Sequence, residues 1–242
     1  MSPIRGVDLS TSEASNEGQS EQSLESLQRE FEKALEEGNE AACTRALSGA
    51  FSLTKSFAQL ADEFVAAAFH SLGEKWTCGE IEIYQERRGC EICSRSLHEF
   101  RRLIPESPIN APLALGGSPA GDNYSLPSQL LDLVFRECSW RTMNLGCNLP
   151  LETIIAAAEE HKPRMVWLSA SHLEDPQKFV ASYAKFHQAL PKDTMVVLGG
   201  RALNDDLRPQ LKYTGFCDSM QQLASLATAL HGTRPSFKSS DN

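Results

Sequence analysis

The feature that most constrains this chain is a change of rhythm at Pro105. Beyond it, short apolar runs at 111–115, 142–145, 164–169, 194–198 and near Phe216 and Cys217 alternate with stretches of helical period. Those stretches are predicted at 126–138, 151–160, 176–190 and 206–211, with a last one capped by Ser219 and carrying Gln222 at the capping-box position. Strand and helix in alternation require right-handed crossovers and a parallel sheet covered on both faces. Five such units predict a flavodoxin-like five-stranded parallel sheet. Ligands of this architecture sit outside the carboxyl ends of the strands, near the point where strand order reverses. The loops 116–126, 146–150, 169–175 and 199–202 are therefore the ones to inspect.

Before Pro105 the pattern is helical throughout. Leu24, Leu27, Phe31 and Leu35 share one face, and Gly38 stops the helix. Asn39 can cap a second helix that presents the small residues Ala42, Ala46 and Ala50. Ser56 and Gln59 have capping-box spacing ahead of a wide apolar stripe from Phe57 to Trp76. A fourth helix is predicted over 84–103. The fold class is thus α/β, an N-terminal four-helix bundle followed by the flavodoxin-like domain. The predicted divisions are a disordered segment 1–20, a bundle 21–105, the sheet domain 110–231 and a disordered tail 232–242. Both ends are too polar to bury enough surface to offset their ordering entropy.

Composition excludes some functions. A formal net charge of −9 argues against direct nucleic-acid binding, which draws on Lys and Arg to neutralise phosphates. No apolar run approaches the roughly 20 residues that span a bilayer, and no signal-peptide pattern opens the chain, so a cytoplasmic location is expected. Seven cysteines, an odd number scattered through apolar patterns, read as reduced thiols rather than a disulfide framework. Cys90 and Cys93 have metal-like spacing but no second pair, and packing is the simpler role. The glycine-rich stretch 116–121 lacks the Gly-Lys-Ser/Thr ending of a phosphate loop.

Several residues point to a planar ligand. Trp76, at the end of an apolar helix, can cover a flat cofactor or simply pack. Glu86 can hydrogen-bond a polar ligand group or stand as an exposed helix-start acid. Gly199 and Gly200 leave backbone bare along a ligand's path, or make a common tight turn. Ser169 can bond a ligand nitrogen or satisfy local backbone.

Trp76, nine intervening residues, Glu86 and then Arg87, followed by the five-unit α/β domain, resembles light-sensing, cobalamin-dependent transcription regulators of the MerR type. Those proteins have Trp, nine residues, Glu and His. Their sheet domain carries a carboxylate, one residue, His, two residues and Gly after strand one; here the stretch is Asp122, Asn123, Tyr124, Ser125, Leu126 and Pro127. The acid is kept, the His is Tyr124, and the Gly is Pro127. The loops holding Ser169 and Ser171, and Gly199 and Gly200, look like the family's nucleotide-tail positions. The resemblance implies adenosyl- or methylcobalamin as cofactor, held by Trp76, Glu86, Arg87, Asp122, Asn123, Tyr124, Ser125, Ser169, Ser171, Gly199 and Gly200. It places Tyr124 where the cobalt ligand would be, open to direct tyrosinate ligation, to water or the cofactor's own base below the metal, or to lost binding. Arg87 has no lone pair for a metal.

The function expected is a cobalamin-binding-like sensory or regulatory module, not an enzyme. Ligand or light would change how the bundle packs on the sheet domain and how a protein partner or second copy is bound. The alternatives are a cofactor-free interaction module, a holder of another tetrapyrrole, and a corrinoid methyl-carrier of a methyltransferase system. A DNA-binding domain ahead of the bundle is not expected, and no catalytic constellation stands out.

Overall fold

The structure, a computed structural model, describes residues 10–231. Its elements are α1 (Ser10–Glu37), α2 (Glu40–Thr54), α3 (Phe57–Gln59), a π-helical stretch (Leu60–Val65), α4 (Ala66–Thr77), α5 (Ile83–Leu103), β1 (Leu113–Gly117), α6 (Leu126–Glu137), β2 (Arg141–Asn144), α7 (Leu151–His161), β3 (Met165–Ser169), α8 (Pro176–Ala189), β4 (Met195–Gly199), a 3-10 turn (Arg208–Gln210), β5 (Gly215–Cys217) and α9 (Met220–His231). The chain divides into two compact units, one of residues up to 55 with 63–96, the other of 56–62 with 97 onward. The boundaries fall between α2 and α3, inside the π-helical stretch and inside α5.

In the helical unit, α1 packs on α2 and α4. Its core is Phe31, Leu35, Ala46, Leu47, Phe64 and Leu72, all inaccessible to solvent, with the Phe31 and Phe64 rings 5.0 Å apart. The predicted caps form. Asn39 accepts from the Ala42 amide and Ser56 from the Gln59 amide, satisfying N–H groups that a helix start leaves unpaired. One expectation is corrected. The segment up to residue 20 was expected to be disordered, yet α1 begins at Ser10. Its Glu, Ala, Gln and Ser residues without proline deny it a core but not a helix. Residues 1–9 and the expected disordered tail 232–242 lie outside the described residues.

In the sheet unit the strand order is β2-β1-β3-β4-β5, parallel throughout, which is the flavodoxin-like topology expected. On one face α7 and α8 cover Leu115, Val166, Leu168, Val196 and Leu198. On the other, α6 and α9 pack with Phe135, Trp140, Trp167, Leu223 and Ala227. Strand β1 ends later than its apolar run, taking in Gly116 and Gly117. The run stops at Leu115 because glycine carries no apolar signal, but a side chain does not fit there. A Cβ on Gly116 would lie 2.0 Å from the Trp167 carbonyl oxygen, and one on Gly117 2.4 Å from that of Gly146. Two residues of the glycine-rich stretch 116–121 are thus strand, and the rest is connection.

Candidate functional site

Strand order reverses between β1 and β3, so the loops that follow these strands meet at the switch point. Asp122 joins them. Its carboxylate, with no solvent exposure, accepts the Tyr124 amide on Oδ1 at 3.0 Å and the Ser171 amide on Oδ2 at 2.6 Å, with the His172 amide farther off at 3.4 Å. Its carbonyl accepts from the Asn148 amide, and the Asn148 side chain accepts from the Gly121 amide. Three loops are thereby tied at one residue. Charge-assisted bonds to backbone amides are the strong kind, and they occupy both oxygens of this carboxylate.

Around this knot stand the other predicted residues of the sheet unit. Arg201 donates from Nε to the Ser171 carbonyl at 3.1 Å, and its guanidinium lies over the Tyr124 ring, 5.3 Å from the centroid. Asn123 is exposed, and Ser125 precedes α6 without capping it by its side chain. Gly200 has φ +108, and a Cβ there would lie 2.3 Å from the Ala170 carbonyl oxygen; one on Gly199 would lie 2.8 Å from that of Cys217. Both glycines are required by the protein's own backbone, so the tight-turn account holds whatever else they do.

Beside the knot, at the carboxyl ends of β3, β4 and β5, opens a cavity of about 270 Å³. Leu131, Trp167, Val197 and Leu223 make its apolar walls, while Ser169, Ser171, Gly199 and Gly200 are the predicted residues that reach it. At its edge Asp62 accepts the Met220 amide at 2.8 Å and the Gln221 amide at 2.9 Å, satisfying the start of α9 from a remote part of the chain. Trp167 and Asp62 carry no sequence signal for this role. Trp167 stands in an apolar run that reads as core, and Asp62 lies on the polar side of a helical stripe.

The remaining predicted residues belong to the helical unit. Trp76 is 49% exposed near the end of α4. Glu86 lies in the first turn of α5, 3.5 Å from Arg87 Nε, and accepts from the Cys90 thiol at 3.6 Å. Burial, with the neighbouring Glu86, pushes the Cys90 thiol up to about 12, and burial likewise raises Cys93. Neither thiol is poised to react as a thiolate at neutral pH. Among the described residues no group of three or more His, Cys, Asp or Glu is arranged to hold a metal ion. No described helix is long and apolar enough to cross a membrane.

Residues 27–99 match the family model described as the B12 binding domain. Among solved structures, the chain is similar to a monomethylamine corrinoid protein of Methanosarcina barkeri, with TM-score 0.69 and 15% identity over 82% of this chain and 95% of that one. Weaker likenesses are to the methanol:cobalamin methyltransferase complex of Methanosarcina barkeri (TM-score 0.46, 19% identity, 86% and 81% covered) and to a cobalamin-binding protein of Desulfitobacterium hafniense (TM-score 0.45, 16% identity, 84% and 97% covered). No curated protein matches the sequence. The first structural likeness concerns the fold, an α/β domain preceded by helices.

Tested against a corrinoid, the residues of the sheet unit divide. The cavity offers apolar walls and the largely buried Ser169, which fits a flat heterocyclic tail. At the position expected to face cobalt, Tyr124 lies beneath a guanidinium, and Asp122 already accepts a backbone amide on each carboxylate oxygen.

Proposed function

We propose that the chain is a corrinoid-binding protein that holds the cofactor by its nucleotide tail, takes no histidine ligand to cobalt from its own sheet domain, and acts through a partner protein. The observation that carries this is the apolar cavity beside β3, β4 and β5, which Ser169, Ser171, Gly199 and Gly200 also line. Support also comes from the helical match to the B12 binding domain and the shared fold of the corrinoid protein. Trp167, Ser169, Val197, Leu198 and Leu223 would hold the tail. When bound, a corrinoid would supply a cobalt centre able to carry an alkyl group. The chain's own contribution is to seat the tail and exclude water from it. A net charge of −9 leaves protein, not nucleic acid, as the partner class.

The test is retention of pigment. Purified protein is incubated in dim light with adenosylcobalamin or methylcobalamin, desalted, and its visible spectrum recorded before and after illumination. Bound pigment is expected, and a colourless protein overturns the reading. A light-driven change in the partner-binding or oligomeric state marks a sensory role; methyl transfer to a partner marks a carrier. Tyr124→His is expected to shift the bound spectrum as an imidazole becomes available.

A second reading, a cofactor-free interaction module, is favoured by one observation. The Asp122 carboxylate and the Gly199–Gly200 turn are fully engaged by the protein's own backbone. A colourless protein would leave this reading in place.

A further inference from the structure

The two edges of the sheet are finished differently. At one, β5 is three residues long, and Arg208 lies over its Phe216 ring, 3.9 Å from the centroid. Shortness and a charge are usual ways of keeping a strand edge from pairing. At the other, β2 pairs with β1 alone and carries neither proline nor a charge after Arg141. The Arg141 and Leu145 amides donate inward, to the Pro112 and Gly116 carbonyls. Main-chain groups alternate in direction along a strand, so the amides and carbonyls of Thr142 and Asn144 point outward. Neither of these amides has a hydrogen-bond acceptor among the described residues.

Alongside β2 opens a cavity of about 460 Å³. Thr142, Met143 and Asn144 all line it, although successive side chains of a strand point to opposite faces. Asn144 turns towards α6, where it donates to the Ser128 carbonyl, and Met143 packs against the core on the opposite face. A cavity shared by all three therefore reaches the main chain at the open edge of the strand. Leu97, in the part of α5 that belongs to the sheet unit, and Leu133 of α6 form its apolar side. Its charge runs against that of the chain. Asp132 accepts from Arg101 at 3.0 Å and from Arg136 at 3.2 Å, so two guanidiniums share one carboxylate in a protein of net charge −9. Arg101 is half exposed and bonds Asp132 through Nε, which leaves its two terminal nitrogens for a carboxylate from outside.

We propose that this groove takes an extended segment of a partner protein as a sixth strand on β2, with an acidic side chain of that segment on Arg101. Outward amides and carbonyls at the spacing of a strand are matched by another strand, and pairing of this kind is a common way for a sheet edge to recruit a peptide. The surplus guanidinium selects a carboxylate over an ammonium group. This deepens the function proposed above, on which it rests for the existence of a protein partner.

The probe is a short blocked peptide of alternating valine and glutamate, added to the full chain labelled with nitrogen-15. The Thr142 and Asn144 amide resonances are expected to move downfield and their hydrogens to exchange more slowly, while the Met143 amide, which faces β1, changes little. The same peptide with lysine in place of glutamate, or with its backbone amides methylated, is expected to bind about tenfold more weakly. Arg101→Ala is expected to weaken the glutamate peptide by about the same factor, and Arg136 keeps Asp132 paired in that variant. Unmoved Thr142 and Asn144 resonances, equal binding of the lysine or methylated peptide, or unchanged affinity in Arg101→Ala overturns the proposal. A chain that retains cobalamin while these amides ignore the peptide overturns this inference alone. One that takes the peptide yet retains no corrinoid overturns the function proposed above and upholds this inference.

Discussion

Two neighbouring regions at the carboxyl end of the sheet use their buried polar groups in opposite ways. At the switch point Asp122 commits both carboxylate oxygens to the amides of Tyr124 and Ser171. A few residues away, in the cavity beside α9, Trp167 keeps its only polar atom unpaired. The first arrangement holds loops; the second leaves a buried donor unsatisfied. A buried group that is already satisfied contributes to stability and has little left to offer a ligand. The expected cobalt-ligand position, Tyr124, lies in the first region, whereas the expected Ser169, Ser171, Gly199 and Gly200 line the cavity of the second.

The comparison breaks most visibly at Asp122. Asp122→Ala leaves the Tyr124 and Ser171 amides without their acceptor and is expected to cost about 3 kcal/mol, read as a lower denaturant midpoint. An unchanged midpoint would mean the carboxylate does not tie the loops. Gly200→Ala comes next. With φ +108 and the new Cβ 2.3 Å from the Ala170 carbonyl oxygen, it is expected to cost about 2 kcal/mol in the same measurement. The two indoles sharpen the contrast further. Trp140→Phe removes a made hydrogen bond and Trp167→Phe an unmade one, so the first is expected to be worse by about 1 kcal/mol in the ligand-free protein. Equal losses would show that Trp167 has a partner.

The smallest effect concerns Glu137, whose carboxylate accepts the Phe57 amide at 3.0 and 3.1 Å. Burial raises its pKa above the ordinary 4.5 despite those bonds. A raised folded pKa favours the protonated form, so its contribution to stability is complete below 4.5 and is lost as pH rises through the folded value. Glu137→Gln is expected to flatten that part of the stability profile, measured by thermal melts across mildly acidic pH. A steeper profile in the variant would reverse the sign assigned to Glu137.

Much of the fold was legible residue by residue. The caps at Asn39, Ser56 and Ser219 stand where short-range spacing places them, because capping is decided within a few residues of chain. The strands lie within their apolar runs or a residue or two beyond. Misjudgements came where local composition and long-range packing diverge. Gly116 and Gly117 read as loop because they carry no apolar signal, yet β1 needs them beneath Trp167 and Leu149. The polar start of α1 reads as disorder because burial and helix propensity were taken together. In the candidate site, Ser169, Ser171, Gly199 and Gly200 were legible by position. Trp167 and Asp62 were not, since one looks like core and the other like a solvated helix face.

By itself the sequence determined the alternation of strands and helices, their caps and the parallel sheet, because these follow from periodicity and near neighbours. Only the tertiary structure decided how the polar groups at the switch point are used. Whether a carboxylate is occupied or an indole unpaired depends on atoms brought together from Asp62, Asp122, Trp167, Ser171 and Met220, residues far apart along the chain. The fold satisfies the two carboxylates with backbone amides and leaves the indole alone in its cavity wall.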